Sequence, residues 1–459
     1  MRAFSGGASA QDQHRHGRRG RLLPMAGLVP EPLTVMADGT VKQLNPFSGT
    51  EVWTVPGRAH RPLGQPPAQA APLGPDAHTM TCAFCPGRLA ETPPEKARIT
   101  AGELLHHPSP TQALDPGADF RRIPNLFEIV SFDYWRRNYD YDLSPAAAHR
   151  LAEWAADPLG RRRIADLTRA RTRASHTDAE WEALSEAERL DFARGFFGGC
   201  HDVIVARRHF VDGAETDSEL ASAGCLTPAE HADYITLTID ALRDIYATNR
   251  YVRYVQVFQN WLAPAGASFD HLHKQLVGID ERGASAEEEI RRVSAEPNMY
   301  NDWAINYAHR RNLVVAANEH AVAFAGFGHR FPSLEVYSRA RATFPWEHSP
   351  AQRRGMSDLL HALHAAAGAH LPCNEEWHHQ PPDAITPMPW RIVIKWRVST
   401  LAGFEGGTKI YTNTIDPWAL RDRVTAHLRD LRAADRLAPG IAIAEECVIP
   451  VNPLHYNAR

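Results

Sequence analysis

The 459-residue sequence has no apolar run of the roughly 18 or more residues that a membrane-crossing helix requires. It has little cysteine, six residues in all, far below the density of a small disulfide-framed domain. Two of the six sit as Cys82 and Cys85 in TCAFCPG, a spacing of metal or redox sites, and a reducing, cytoplasmic compartment is the expected location. No excess of one charge is present either. The net charge is −4 with 24 histidines taken as neutral, so no strong field favours nucleic acid or an anionic membrane. An apolar signal core is missing from the first residues, which are rich in Arg, Gly and His; residues 1–30 read as a disordered tail, with Met25 as an alternative start.

What is there is an alternation of strand and helix signals in a chain long enough for two related halves. Strand-like pieces with turn signals occupy residues 33–62, followed by a Pro- and Ala-rich loop, the CxxC segment and a strand expected in NLFEIVSF. Helix signals dominate about 140–197, which reads as an insertion. HDVIVARRHF reads as a strand, a Thr-Pro start opens a helix at 227, and YVRYVQVFQN reads as the next strand. A second cycle follows in NLVVAAN, AVAFAGF, a helix over about 350–368, WRIVIKWRV, IYTNT and a closing helix from Pro417. The organisation expected is an N-terminal half over 31–280 carrying the helical insertion, and a C-terminal half over 281–459.

One stretch stands out chemically, GASFDHLHKQLVGID at 266–280. Period-two alternation sets His271, His273 and Gln275 on one strand face and Leu272, Lys274 and Leu276 on the other. A single strand histidine is usually a surface or hydrogen-bonded core residue, but this trio follows Gly266-Ala267-Ser268, small residues that let backbone approach a ligand. A neutral imidazole held through one nitrogen is a competent nucleophile toward phosphorus, and a glutamine amide can donate to a phosphoryl oxygen.

The run from Asn260 through Gly266-Ala267-Ser268 to His271-Leu272-His273-Lys274-Gln275 resembles the active-site strand of the galactose-1-phosphate uridylyltransferase-like family of the histidine triad superfamily. The resemblance implies an α+β fold of two histidine-triad-like halves, antiparallel sheets flanked by helices. It implies His273 as nucleophile, Gln275 as the group stabilising phosphoryl oxygens, and Asn260 and Ser268 as phosphate contacts. NPFSGTEVWTVPGRAHRP resembles the family's opening strand and Arg-x-x-Arg-Pro element, making Arg58 and Arg61 nucleotide or phosphate contacts. CAFCPG resembles its zinc segment, RIPNLFEIV its asparagine-bearing strand (Asn125), and HDVIVARRHF the strand before a further histidine, with one residue deleted before His209. The implied structural Zn²⁺ site is Cys82, Cys85, His209 and His271, two thiolates and two imidazoles.

In the second half, NEHAVAFAGFGHRFP and AGFEGGTKIYTN resemble the bacterial and archaeal form, with Glu405 expected near the sugar. Pro389 and Arg391 stand where relatives carry a His-x-His pair, so no second metal of that type is expected, and Trp377-His378-His379 reads as a loop or core cluster at least as readily as a metal site. GFEGGTK lacks Walker spacing, and RHGRRGR reads as a solvated tail. The activity implied is transfer of a nucleoside monophosphate between a nucleotide sugar and a sugar 1-phosphate through a nucleotidyl-histidine. The alternatives are a phosphorylase or hydrolase on the same scaffold, and a non-catalytic zinc-stabilised binding protein. The resemblance also implies a homodimer.

Overall fold

The computed structural model describes residues 31–56, 70–173, 175–399 and 401–458. Its strands, in chain order, are β1 (Leu33–Val35), β2 (Val41–Leu44), β3 (Glu51–Thr54), β4 (Ala97–Thr100), β5 (Glu103–His106), β6 (Phe120–Pro124), β7 (His201–Ala206) and β8 (Tyr254–Trp261). They continue as β9 (His273–Ile279), β10 (Val314–Ala317), β11 (Ala321–Gly326), β12 (Ser333–Ser338), β13 (Cys373–His378), β14 (Arg391–Trp396), β15 (Ile410–Asn413) and β16 (Ala442–Ile443). Twelve of them form one antiparallel sheet in the order β16-β10-β11-β12-β14-β13-β8-β9-β7-β6-β4-β5. The chain has an α+β fold. β1, β2, β3 and β15 make a small second sheet in which β15 runs parallel to β3.

The large sheet contains the same unit twice. β7, the helix Pro228–Thr248, β8 and β9 repeat as β12, the helix Pro350–Ala367, β13 and β14, and the two units meet where β8 pairs with β13. Both crossover helices start alike, because sequence dictates it: Thr227 with Glu230 and Ser349 with Gln352 form capping boxes, each followed by proline at the first helical position. The second helix stops at Gly368, whose φ of +83° suits glycine.

One face of the sheet packs against these helices and the helix Pro417–Ala433 to form the main core, which includes Leu272 and Leu276 of the quoted stretch. Both leucines are fully buried, each contributing roughly 1.5–3 kcal/mol by burial. The opposite face differs between halves. Over the second half, Val322, Phe324 and Tyr337 are covered by Phe47, Tyr300 and Tyr307. Over the first half, the face around β9 carries the polar trio instead.

Between β6 and β7 the chain is helical, as Phe132–Tyr139, Pro145–Ala156, Pro158–Thr172 and shorter helices ending at Arg194–Gly198, around their own apolar cluster of Leu151, Trp154, Ile164 and Phe196. The strand expected in NLFEIVSF is displaced: pairing with β7 ends at Pro124, and residues 125–131 form an irregular loop. Phe127 and Ile129, which a strand would bury, are 72% and 69% exposed. Sequence reading also missed β12, β13 and the helix Ala284–Ala295.

Candidate functional site

The loop 262–272 turns between β8 and β9, with Leu262 and Gly266 both at positive φ. A Cβ at Gly266 would meet only the Asn260 side chain, at 3.8 Å, so space is open beside this turn and the glycine is required by its φ of +87°. Asn260 Nδ2 donates to Gly266 O (3.4 Å) and its Oδ1 accepts from Asn374 Nδ2 (2.7 Å). Ser268 is exposed in the same loop.

His271 lies just before β9. Its Nε2 donates to Ala206 O (2.6 Å), which leaves Nδ1 with a free lone pair aimed at the cysteines. Cys82, Cys85, His209 and His271 converge, all buried, with one donor atom from each within 4.8 Å of the others. Sγ to Sγ is 3.8 Å, and the four Sγ to Nδ1 distances are 3.5, 3.5, 3.5 and 3.7 Å. A tetrahedron with metal–sulfur bonds of about 2.3 Å and metal–nitrogen bonds of about 2.0–2.1 Å has S–S and S–N edges of about 3.8 and 3.6 Å. The cluster can hold a metal ion. Hydrogen bonds, from Cys82 first and then from the two histidines, lower the Cys85 pKa and favour its thiolate, while the same sulfur–sulfur contact raises that of Cys82.

The metal cluster and His273 share a wall. Phe84, between the two cysteines, packs its ring 5.3 Å from that of His273 and 4.8 Å from that of Phe269. His273 Nδ1 donates to His271 O (2.7 Å), so the neutral ring presents its Nε2 lone pair, and burial lowers the pKa to about 4.

Gln275 stands on the same face of β9, held by a knot that sequence reading did not find. The Ile129 N–H donates to His201 Nδ1 (3.1 Å), which puts the ring proton on Nε2, and that proton is donated to Gln275 Oε1 (3.1 Å). With its oxygen tied to His201, the Gln275 amide directs its NH₂ away from that contact. Asn125 joins the knot, its Nδ2 at 3.0 Å from His201 Nε2 and 3.4 Å from Gln275 Oε1, and its Oδ1 accepting from Phe127 N–H (2.9 Å). The signal for His201 was present: in HDVIVA the alternation sets His201, Val203 and Val205 on one face, and β7 pairs directly with β9.

Glu405 is buried on the helix Gly403–Thr408, where its carboxylate accepts from Thr412 Oγ1 (2.5 Å) and the Ala402 N–H (3.2 Å). Arg58 and Arg61 lie outside the described residues.

Register locates the second-half counterpart of this site. Ala206 N–H bonds Leu272 O at 3.0 Å and Ser338 N–H bonds Trp390 O at 2.9 Å, so Arg391 stands where His273 stands, and Pro389 where His271 does. Arg391 is buried, pairs with Glu289 (2.6 and 2.8 Å) and lies against the rings of Phe47, Tyr300 and Tyr337. An ion pair with aromatic packing fills that position. Trp377 and His379 are core residues, Trp377 Nε1 donating to Glu375 (2.6 Å) and His379 stacking on Tyr254, whereas His378 is half-buried opposite Arg391.

Among the described residues, no helix is long and apolar enough to cross a membrane. No curated protein matches the chain significantly. Among solved structures, an ADP-glucose phosphorylase from Arabidopsis thaliana with bound ADP-glucose superposes with a TM-score of 0.55 at 18% identity, covering 84% of this chain and 98% of that one. A GalT-like protein from Arabidopsis thaliana gives 0.51 at 19% identity, covering 76% of this chain and 92% of that one. These likenesses show that the chain shares the fold of these two structures. The model of the family described as "Domain of unknown function (DUF4921)" matches residues 36–456, and the chain belongs to that family.

Proposed function

We propose that the protein is a nucleotidyltransferase that moves a nucleoside monophosphate from a nucleotide sugar to a phosphate-bearing acceptor through His273. The observation that carries this reading is the His273 ring itself, tied through Nδ1 to His271 O and offering Nε2 beside an open glycine turn. In the first half-reaction the Nε2 lone pair attacks the α-phosphorus. The bond from that phosphorus to the bridging oxygen breaks, and a sugar 1-phosphate leaves with the electron pair. In the second, an acceptor phosphate oxygen attacks, the P–N bond breaks and its pair returns to Nε2. The Nδ1 proton stays on the ring throughout, donated in a hydrogen bond to the backbone carbonyl, so His271 O stabilises the positive ring that forms. The Gln275 NH₂ would donate to a non-bridging oxygen as charge develops there. Asn260, Ser268, Arg58 and Arg61 are proposed as phosphate contacts, Asn125 as a nucleotide contact and Glu405 as a sugar contact.

The acceptor is a sugar 1-phosphate in the transferase reading. The near full-length likeness to a phosphorylase solved with ADP-glucose supports a second, in which inorganic phosphate takes that place. Cys82, Cys85, His209 and His271 are proposed to hold Zn²⁺, since the donor set and its edges suit that ion. A closed site of this kind supplies no reaction chemistry; it would pin His271 and so aim the ring two residues on.

Incubation with a panel of nucleotide sugars labelled at the α-phosphate tests the reading. Wild type should retain acid-labile label and His273→Ala none, while the released product distinguishes transfer, phosphorolysis and hydrolysis; equal labelling of both proteins sinks it. Elemental analysis should find one zinc per chain, and Cys85→Ser should lose it. Full zinc in that variant would refute the assignment.

A further inference from the structure

The helical insertion reaches the candidate site through one helix, Pro158–Thr172. Ile164 and Leu167 of that helix are buried in the insertion's own apolar cluster, and Arg163 Nη2 donates to Leu89 O (2.7 Å) and Thr92 O (2.8 Å), in the segment that follows Cys85. Near the other end Arg171 Nη2 donates to Glu128 Oε2 (2.9 Å), in the loop 125–131. The helix is thus fixed on the segment that supplies two of the metal-capable donors, and from there it holds the loop that carries Asn125.

Glu128 is set apart from its neighbours. Phe127 and Ile129 face outward, whereas the Glu128 side chain is 1% exposed, with Arg171, Lys96 and Asp202 as the charges around it. Glycines of Gly195-Phe196-Phe197-Gly198-Gly199 make the slot it fills: a Cβ at Gly199 would collide with Glu128 Oε1, and one at Gly195 would stand 2.7 Å from Arg171 Nη1. Glu128 Oε2 also accepts from the Phe132 N–H (3.3 Å), where the next helix begins. An ion pair taken out of water gains little net stability over apolar packing, so stability alone does not account for this one. Its position bears on a single bond. The peptide between Glu128 and Ile129 carries the N–H that donates to His201 Nδ1, and His201 holds Gln275 Oε1. Because the peptide unit is planar, only the ψ torsion of residue 128 lies between the pinned Glu128 Cα and that N–H.

We propose that Glu128 and Arg171 are positioning residues: through this pair the helical insertion sets the Ile129 N–H, that N–H sets the His201 tautomer, and His201 sets the Gln275 amide beside His273. The inference rests on the nucleotidyl-transfer reading and gives the insertion its part in that reaction.

A double-variant cycle on the full chain tests it, run at pH 8 because burial raises the Glu128 pKa to about 7 and the pair needs the carboxylate ionised. Glu128→Ala and Arg171→Met should each slow the maximal rate of nucleotidyl-histidine formation about tenfold, with nucleotide-sugar affinity within about threefold of wild type, and Arg171→Lys should recover most of that rate. In a His201→Phe background Glu128→Ala should cost nothing further, whereas a merely structural defect would add its full loss. Hydrogen–deuterium exchange reads the same link without the chemistry. The Ile129 N–H should exchange about tenfold faster or more in both variants, while the Asn125 N–H, bonded to His201 O (2.8 Å), keeps its protection and so excludes general unfolding. Wild-type rates in both variants, additive losses in the His201→Phe background, or an Ile129 N–H as protected in the variants as in wild type would each overturn the proposal. Lost protection at Ile129 in a protein whose wild type never takes up nucleotidyl label would leave the clamp on His201 standing and remove the nucleotidyl-transfer reading.

Discussion

His201 holds the Gln275 amide by its oxygen, and so turns the NH₂ end toward the side proposed to meet a phosphate. Without it the amide could rotate and offer an oxygen to a phosphate, a repulsive contact. His201→Phe should slow formation of the labelled adduct about tenfold, the equivalent of one hydrogen bond of roughly 1.4 kcal/mol. His201→Gln, which keeps a donor, should recover part of that rate. Metal content and nucleotide-sugar affinity should stay near wild type in both, which separates positioning from a folding defect. A Phe variant as fast as wild type would show that Gln275 is oriented some other way. Sequence motifs marked the proposed nucleophile His273 and the four residues that converge in the metal-capable cluster, because their chemistry is unusual in a strand and at that spacing. They did not mark His201, whose function depends on a loop, 125–131, whose backbone conformation has no period to read.

At the scale of elements, legibility followed periodicity and caps. The helices at Pro228 and Pro350 were readable from Thr-Pro and Ser-Pro starts with a glutamate or glutamine three residues on, and β9 from its alternation. β13 was not readable, because CNEEWH is a strand whose buried positions include a glutamate. Glu375 is tolerated there because Lys274, Trp377 Nε1 (2.6 Å) and His364 Nε2 (2.8 Å) all bond it. The reason Lys274 sits between two leucines on the core face is the same contact, made across β8. Likewise Arg391 occupies the counterpart of His273 only because Glu289, on a helix not evident from the sequence, reaches over the sheet to pair with it. Charged residues at buried strand positions hide a strand from pattern reading when their partners are a hundred residues away.

The large sheet is two six-stranded units joined by the β8–β13 seam and by the packing of the helix Pro228–Thr248 on the helix Pro350–Ala367. That helix contact buries three histidines. His231 and His361 have rings 5.4 Å apart, His231 Nδ1 bonding Ser357 Oγ (2.7 Å) and His361 Nε2 donating to Leu226 O (2.6 Å), while His231 Nε2 and His361 Nδ1 have no partner. Lys274, Glu375 and His364 face His231; His364, Arg354 and Arg436 face His361. Burial first, and the neighbouring positive groups next, push His361 to about 4 and His231 well below its ordinary value. Both bind fewer protons folded than unfolded, so their contribution is complete above about pH 6.5 and is lost as pH falls toward 4, at about 1.4 kcal/mol per pH unit for each. Glu128 opposes them over part of this window: burial raises it to about 7, so the folded state takes up its proton between about 4.5 and 7. The readout is therefore a difference. Between pH 6.5 and 5.5, urea unfolding of wild type should lose about 2 kcal/mol more than that of a His231→Phe/His361→Leu double variant, which is less stable at pH 7.5 but flatter with pH. Parallel pH profiles for the two proteins would mean that the helix contact titrates without cost and that acid acts on the molecule elsewhere.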